Sequence, residues 1–176
     1  IYCNADAAAD AAAKVQTEDG RTVYCTDLPS AFDKANAASG TVTITLLQDV
    51  TGLDQVLELG GAANWKDNDI TLDLNGKTLS GTGGDSSNFL VADTYGTVTI
   101  RDSGTDAAKT GLIQNTKPRG NYAVYVSTGK LIIEGGSFES ADDDTYGIEG
   151  YALGSGATLI ITGGTFNSQV YIDTRY

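Results

Sequence analysis

One phrase occurs twice in this chain, and a repeated strand-and-turn phrase buries its apolar side chains most simply by stacking copies of itself. Thr128-Gly129-Lys130-Leu131-Ile132-Ile133-Glu134-Gly135-Gly136-Ser137-Phe138-Glu139-Ser140 returns as Ser155-Gly156-Ala157-Thr158-Leu159-Ile160-Ile161-Thr162-Gly163-Gly164-Thr165-Phe166-Asn167-Ser168. Gly135 maps to Gly163 and Phe138 to Phe166, a shift of 28. Fainter copies stand at 97–102, 70–75 and 42–46. Matching Ile44 to Ile70, Leu74 to Ile100 and Ile100 to Ile133 gives steps of 26, 26 and 33. Strands recurring at such periods mark a solenoid or a propeller, and a propeller blade needs about 40 to 50 residues and four strands. The shorter period predicts an all-β parallel β-helix of about five rungs, with equivalent strands about 4.8 Å apart. Phe138 over Phe166 and Ile133 over Ile161 are the expected inward stacks.

Composition agrees with many tight turns between short strands. There are 22 glycines, only 2 prolines, and no His or Met in 176 residues. Strands are expected at 42–47, 70–74, 89–92, 98–101, 112–114, 122–126, 131–134, 148–153, 158–161 and 170–172. Asn75-Gly76, Gly83-Gly84, Ser103-Gly104, Gly135-Gly136 and Gly163-Gly164 punctuate them. Pro118, within 115–120, accounts for the longer step of 33 as a loop insertion.

The first 40 residues read differently from the rest, so the expected division is 1–40 as cap and 41–176 as β-helix. Residues 14–25 form a hairpin, with Asp19-Gly20 as a type I′ turn. A helix over 28–38 follows, capped by Thr26 or Asp27, with Pro29 tolerated in its first turn. Leu28, Ala31, Phe32 and Ala35 make one apolar stripe, and Gly40 ends the helix. That stripe is expected to cover the first rung, because an uncovered sheet edge invites aggregation. Cys3 and Cys25 fall in this cap and suit a disulfide of an exported protein better than a metal site lacking His.

A net charge of −12 with 11 basic residues disfavours nucleic acid and anionic membranes as partners. No run of 18 apolar residues offers a membrane span. The absence of His excludes Ser-His-Asp, Cys-His and His-metal chemistry.

Val23-Tyr24-Cys25-Thr26-Asp27-Leu28-Pro29-Ser30-Ala31-Phe32, then Thr43-Ile44-Thr45-Leu46-Leu47-Gln48-Asp49-Val50 and Ile70-Thr71-Leu72-Asp73-Leu74-Asn75-Gly76-Lys77-Thr78-Leu79, resemble a segment of secreted cell-surface proteins of Gram-positive anaerobes. Those proteins are similar in fold to the pectate-lyase-like right-handed β-helix superfamily, and the likeness covers 14–168. It implies a right-handed coil and an extracellular location. It spans lyases, hydrolases, adhesins and inert repeat modules, so it does not select an activity. Enzymes of this kind are usually longer, and the chain reads as a piece of a larger protein.

The residues that could carry chemistry are carboxylates. Glycoside hydrolysis needs two of them about 5 to 9.5 Å apart; Asp73, Asp102 and Glu134, with Arg101 as a basic companion, come nearest to equivalent positions on successive rungs. Asp142-Asp143-Asp144 is the densest acidic run and the weak candidate for Ca²⁺, the one cofactor considered. Aromatic binding candidates are Trp65, Tyr95, Tyr122, Tyr125, Tyr146 and Tyr151. The leading expectation is a non-catalytic surface module for adhesion, ligand binding or rigid display. Its ligand would be a host protein, immunoglobulin among them, or a glycan. The alternatives are a carbohydrate-active lyase or hydrolase, and a filament subunit that self-associates through its C-terminal rung.

Overall fold

The computed structural model describes residues 3–4, 8–60, 67–86, 88–106, 109–118, 122–141, 146–151 and 157–173. In chain order the elements are β1 (Cys3–Asn4), β2 (Ala13–Thr17), β3 (Thr22–Cys25), α1 (Leu28–Ala37), β4 (Thr41–Leu46), β5 (Val50–Leu53), β6 (Leu57–Leu59), β7 (Asp69–Asp73) and β8 (Thr78–Gly81). They continue as β9 (Asn88–Arg101), β10 (Leu112–Asn115), β11 (Tyr122–Ile133), β12 (Ser137–Ser140), β13 (Tyr146–Tyr151), β14 (Thr158–Ile161), β15 (Thr165–Phe166) and β16 (Gln169–Asp173). The protein is all-β with a single helix among the described residues. No described helix is long and apolar enough to cross a membrane.

Two sheets organise the chain. The smaller runs β15-β12-β10-β8-β5 and is parallel throughout. The larger is mixed. Its path β1-β3-β2-β4-β7-β9-β11-β13-β16 is antiparallel from β1 to β4 and parallel afterwards, with β14 on β11 and β6 on β9. The antiparallel start comes from the hairpin: β2 pairs with β4 along its length, Val15 opposite Ile44, and so occupies the edge of β4.

Side-chain alternation explains why the ladders hold. Val42, Ile70, Val98, Leu131 and Leu159 align on successive strands, as do Ile44, Leu72, Ile100, Ile133 and Ile161. Val50, Leu79, Ile113, Phe138 and Phe166 form the facing column in the smaller sheet. One continuous cluster joins these columns to the hairpin and helix. Each fully buried member contributes about 1.5 to 3 kcal/mol. Phe138 and Phe166 stack with centroids 5.2 Å apart.

The registers correct two steps of the repeat. Ile44 faces Leu72, not Ile70, and Leu72 faces Ile100, so both steps are 28 and not 26. Side chains alternate with period two, so a slip of two residues keeps every apolar residue inside, and facing alone cannot detect it. The 33-residue step from Ile100 to Ile133 stands, but its extra residues lie elsewhere. Leu79 to Ile113 is already a step of 34, which puts the insertion between β9 and β10, before Pro118.

Local chemistry accounts for the cap. Asp27 caps α1 by accepting the Ser30 N–H at 2.8 Å, and Leu28, Ala31, Phe32 and Ala35 are the buried face. The helix ends at Ala38 in extended conformation, and Gly40, at φ 75°, launches β4. Asn36 fastens the helix to β6, donating to Glu58 O and accepting from Gly60 N, each at 2.8 Å. The hairpin turn differs from the expected type I′. Gly20 has φ 83° but Asp19 does not have positive φ. Gly20 N–H reaches Thr17 O, and Thr17 N–H reaches Arg21 O, the type I turn with a glycine bulge of three-residue loops. A disulfide joins Cys3 to Cys25, across directly paired positions of β1 and β3.

Candidate functional site

Asp73, Arg101 and Asp102 meet at one corner of the larger sheet. Asp73 is buried at the end of β7. Its Oδ1 accepts the N–H groups of Asn75 at 3.1 Å and Ser103 at 3.0 Å, and its Oδ2 accepts Arg101 Nε at 3.0 Å. Asp102 opens the inserted loop and ties it down. Its Oδ1 accepts Gly76 N–H at 2.6 Å and Gly104 N–H at 3.2 Å, and its Oδ2 accepts Gly111 N–H at 2.7 Å. The first of those donors, Gly76 N–H, belongs to the Asn75-Gly76 turn, where both residues have positive φ, 50° and 70°. Carboxylates whose oxygens are taken up by backbone donors are fixed in place. They suit turn architecture and not proton transfer. Glu134 is exposed at the end of β11, and Arg101 forms its ion pair with Asp73. Glu139 continues the pattern, accepting from Gln114 Nε2 at 3.2 Å and Asn167 Nδ2 at 2.7 Å across three neighbouring strands.

Asp142, Asp143 and Asp144 lie outside the described residues, as does Trp65. Among the described residues no three His, Cys, Asp or Glu side chains gather as a metal would require. For Tyr146 and Tyr151 the structure describes the backbone, at the two ends of β13. Tyr122 and Tyr125 are half-buried in β11, their rings tilted 36° with centroids 6.4 Å apart.

Tyr95 is different. Its side chain is 56% exposed, and a bulge puts it there. Between β9 and β11, Asp93 faces Thr128 and Thr97 faces Lys130. Three residues of β9, Thr94 to Gly96, therefore stand opposite Gly129 alone. Thr94 turns inward, is buried, and its Oγ1 accepts Gly96 N–H at 3.1 Å. Tyr95, the next residue, turns outward. Gly129, at φ 75°, lies so close to Thr94 O that a Cβ there would collide with it. Tyr95 lines an open groove of about 360 Å³ with Gly96, Thr97, Thr128, Gly129, Lys130 and Thr158. Thr97, Lys130 and Thr158 are one register row across three strands. The adjacent outward row, Thr99, Ile132 and Ile160, brings apolar surface beside it, with Ile160 exposed.

Sequence reasoning singled out Tyr95 but not its companions. The available signal was the strand reading Phe89–Ala92 and 98–101 as separate pieces, since the residues left between them are the bulge. A larger open groove, about 450 Å³, runs between the hairpin and α1, lined by Thr17, Glu18, Asp19, Arg21, Ala38 and Ser39. It has no aromatic residue, and Asp19 and Arg21 there are bonded to each other at 2.6 Å.

No protein-family model matches this chain, and no curated protein or solved structure is significantly similar to it.

Proposed function

We propose that the protein is a non-catalytic extracellular binding module, built as a right-handed parallel β-helix of about five coils, that meets a host protein or a glycan through its outer surface. The observation that carries this reading is the use of its acids. Asp73 and Asp102, the carboxylates best placed for chemistry, are saturated by backbone N–H groups and Arg101. The 28-residue registers and columns of like side chains support the coil. Parallel crossovers are right-handed in about 98% of cases. The Cys3–Cys25 disulfide favours an oxidising compartment. The test is a paired screen of the intact chain against a glycan array and immobilised serum proteins, with polysaccharide depolymerisation assayed in parallel. Saturable binding without turnover is expected; turnover that Asp73→Asn abolishes while the fold persists would overturn the reading.

A second reading, self-association through the last strands, has its own observation. β14, β15 and β16 each have one hydrogen-bonded neighbour among the described residues. Their inward residues are open where earlier ones are sealed: Ile161 is 40% and Val170 38% exposed, while Ile133 and Val124 are fully buried. Light scattering over a concentration series tests it. A mass that rises with concentration and falls back in Ile161→Lys supports association; a constant monomer mass removes it.

A further inference from the structure

We propose that the Tyr95 groove is a carbohydrate-binding site, an inference that rests on the binding-module reading and assigns its ligand class and place. Tyr95 is the most exposed of the large hydrophobic side chains among the described residues. It is also held on a fixed platform. The backbone beneath it is pinned by the Thr94–Gly96 hydrogen bond and by Gly129, which fits against Thr94 O only because it lacks a Cβ. Gly96 is packed as tightly on Asn68 O. These contacts leave two positions without side chains, Gly96 and Gly129, beside the ring, so a ligand can approach the backbone there without reordering the protein.

The rim supplies the complementary polar groups. Thr97, Lys130 and Thr158 stand in one row at intervals of about 4.8 Å, and Thr128 lies beside them. A hydroxyl donates one hydrogen bond and accepts others, and the Lys130 ammonium offers three donors. A pyranose ring presents a matching pair of surfaces: a face of C–H groups for the electron-rich aromatic face, and an edge of hydroxyls for the threonines and lysine. A wholly apolar ligand would desolvate those polar groups without repayment. The net charge of −12 repels nucleic acid. The groove is open and shallow, and small-molecule pockets enclose about 70 to 90% of their ligand. A glycan chain lying across the strands fits this shape better than a free monosaccharide.

The experiment compares the intact protein with Tyr95→Ala, Tyr95→Phe and Lys130→Ala on an array of neutral and acidic oligosaccharides, followed by titration of the best glycan. Arg21→Ala, in the hairpin groove, serves as control, and circular dichroism checks each fold. Expected are saturable glycan binding, a loss of about tenfold or more in Tyr95→Ala, a smaller loss in Lys130→Ala, and retention in Tyr95→Phe and Arg21→Ala. Undiminished glycan binding by folded Tyr95→Ala overturns this site and leaves the module reading intact. Capture of a serum protein with no glycan bound overturns the carbohydrate inference and also leaves that reading intact. Binding of neither class overturns both.

Discussion

Replacing Asp73 by Ala should cost stability, and more than removing its ion-pair partner does. The structure allows the terms to be weighed. Asp73 accepts two backbone N–H groups, from Asn75 and Ser103, and the Arg101 guanidinium. Each N–H left without an acceptor costs about 1 to 3 kcal/mol if buried; Ser103 is exposed, so water can replace part of its loss. Arg101 is 46% exposed, and a half-exposed cation released from its pair loses little. Removal of the buried carboxylate also relieves its own desolvation. The net expectation is a loss of about 2 kcal/mol for Asp73→Ala. Arg101→Ala should lose about 1 kcal/mol or less, because the two N–H donors still hold the carboxylate. With a urea slope of about 2 kcal/mol/M, the first variant lowers the unfolding midpoint by about 1 M. The double variant should match Asp73→Ala, since Arg101 acts through Asp73. Two results refute this account: an unchanged midpoint in Asp73→Ala, or a larger drop in Arg101→Ala than in Asp73→Ala.

Three further outcomes are expected. Phe138→Ala should destabilise by about 3 to 5 kcal/mol, because Phe138 is fully buried between Ile113 and Phe166; Phe166→Ala, at a half-buried site, should cost clearly less by the same urea titration. Reducing Cys3–Cys25, or replacing both by Ser, should lower stability by about 3 kcal/mol as the closure of its loop is lost; alkylation of the unreduced, denatured chain should add no label by intact mass. Asp19 is held below its usual 3.8, first by the Thr17 hydroxyl hydrogen bond, then by the Arg21 N–H. Its contribution to the hairpin is therefore present above that value and lost as pH falls through the lower folded one. An NMR titration of its carboxyl should show a midpoint under 3.8 that rises in Thr17→Val.

The sequence alone determined the features that depend on neighbours in the chain. The apolar stripe of Leu28, Ala31, Phe32 and Ala35, behind a cap at Thr26 or Asp27, specifies α1 within ten residues, and the structure selects Asp27 as the cap. Alternation specifies which residues of 131–134 and 158–161 turn inward, and the repeated Gly-Gly phrase sets their register at 28. The disulfide was legible because both cysteines fall in the N-terminal cap of 40 residues. What the tertiary structure decided are the relations between distant segments. Period-two alternation is blind to a two-residue slip, so only the observed pairing put Ile44 on Leu72. β5, β8, β12 and β15 are short and carry few apolar residues, and they become strands because the larger sheet brings them into register. Asp73 reads as a candidate for sugar chemistry, yet it is buried, and the loop after β9 supplies it with Ser103 N–H. Tyr95 is outward for the same kind of reason: β9 has two residues more than β11 has between the same paired positions, and that excess exists only between strands.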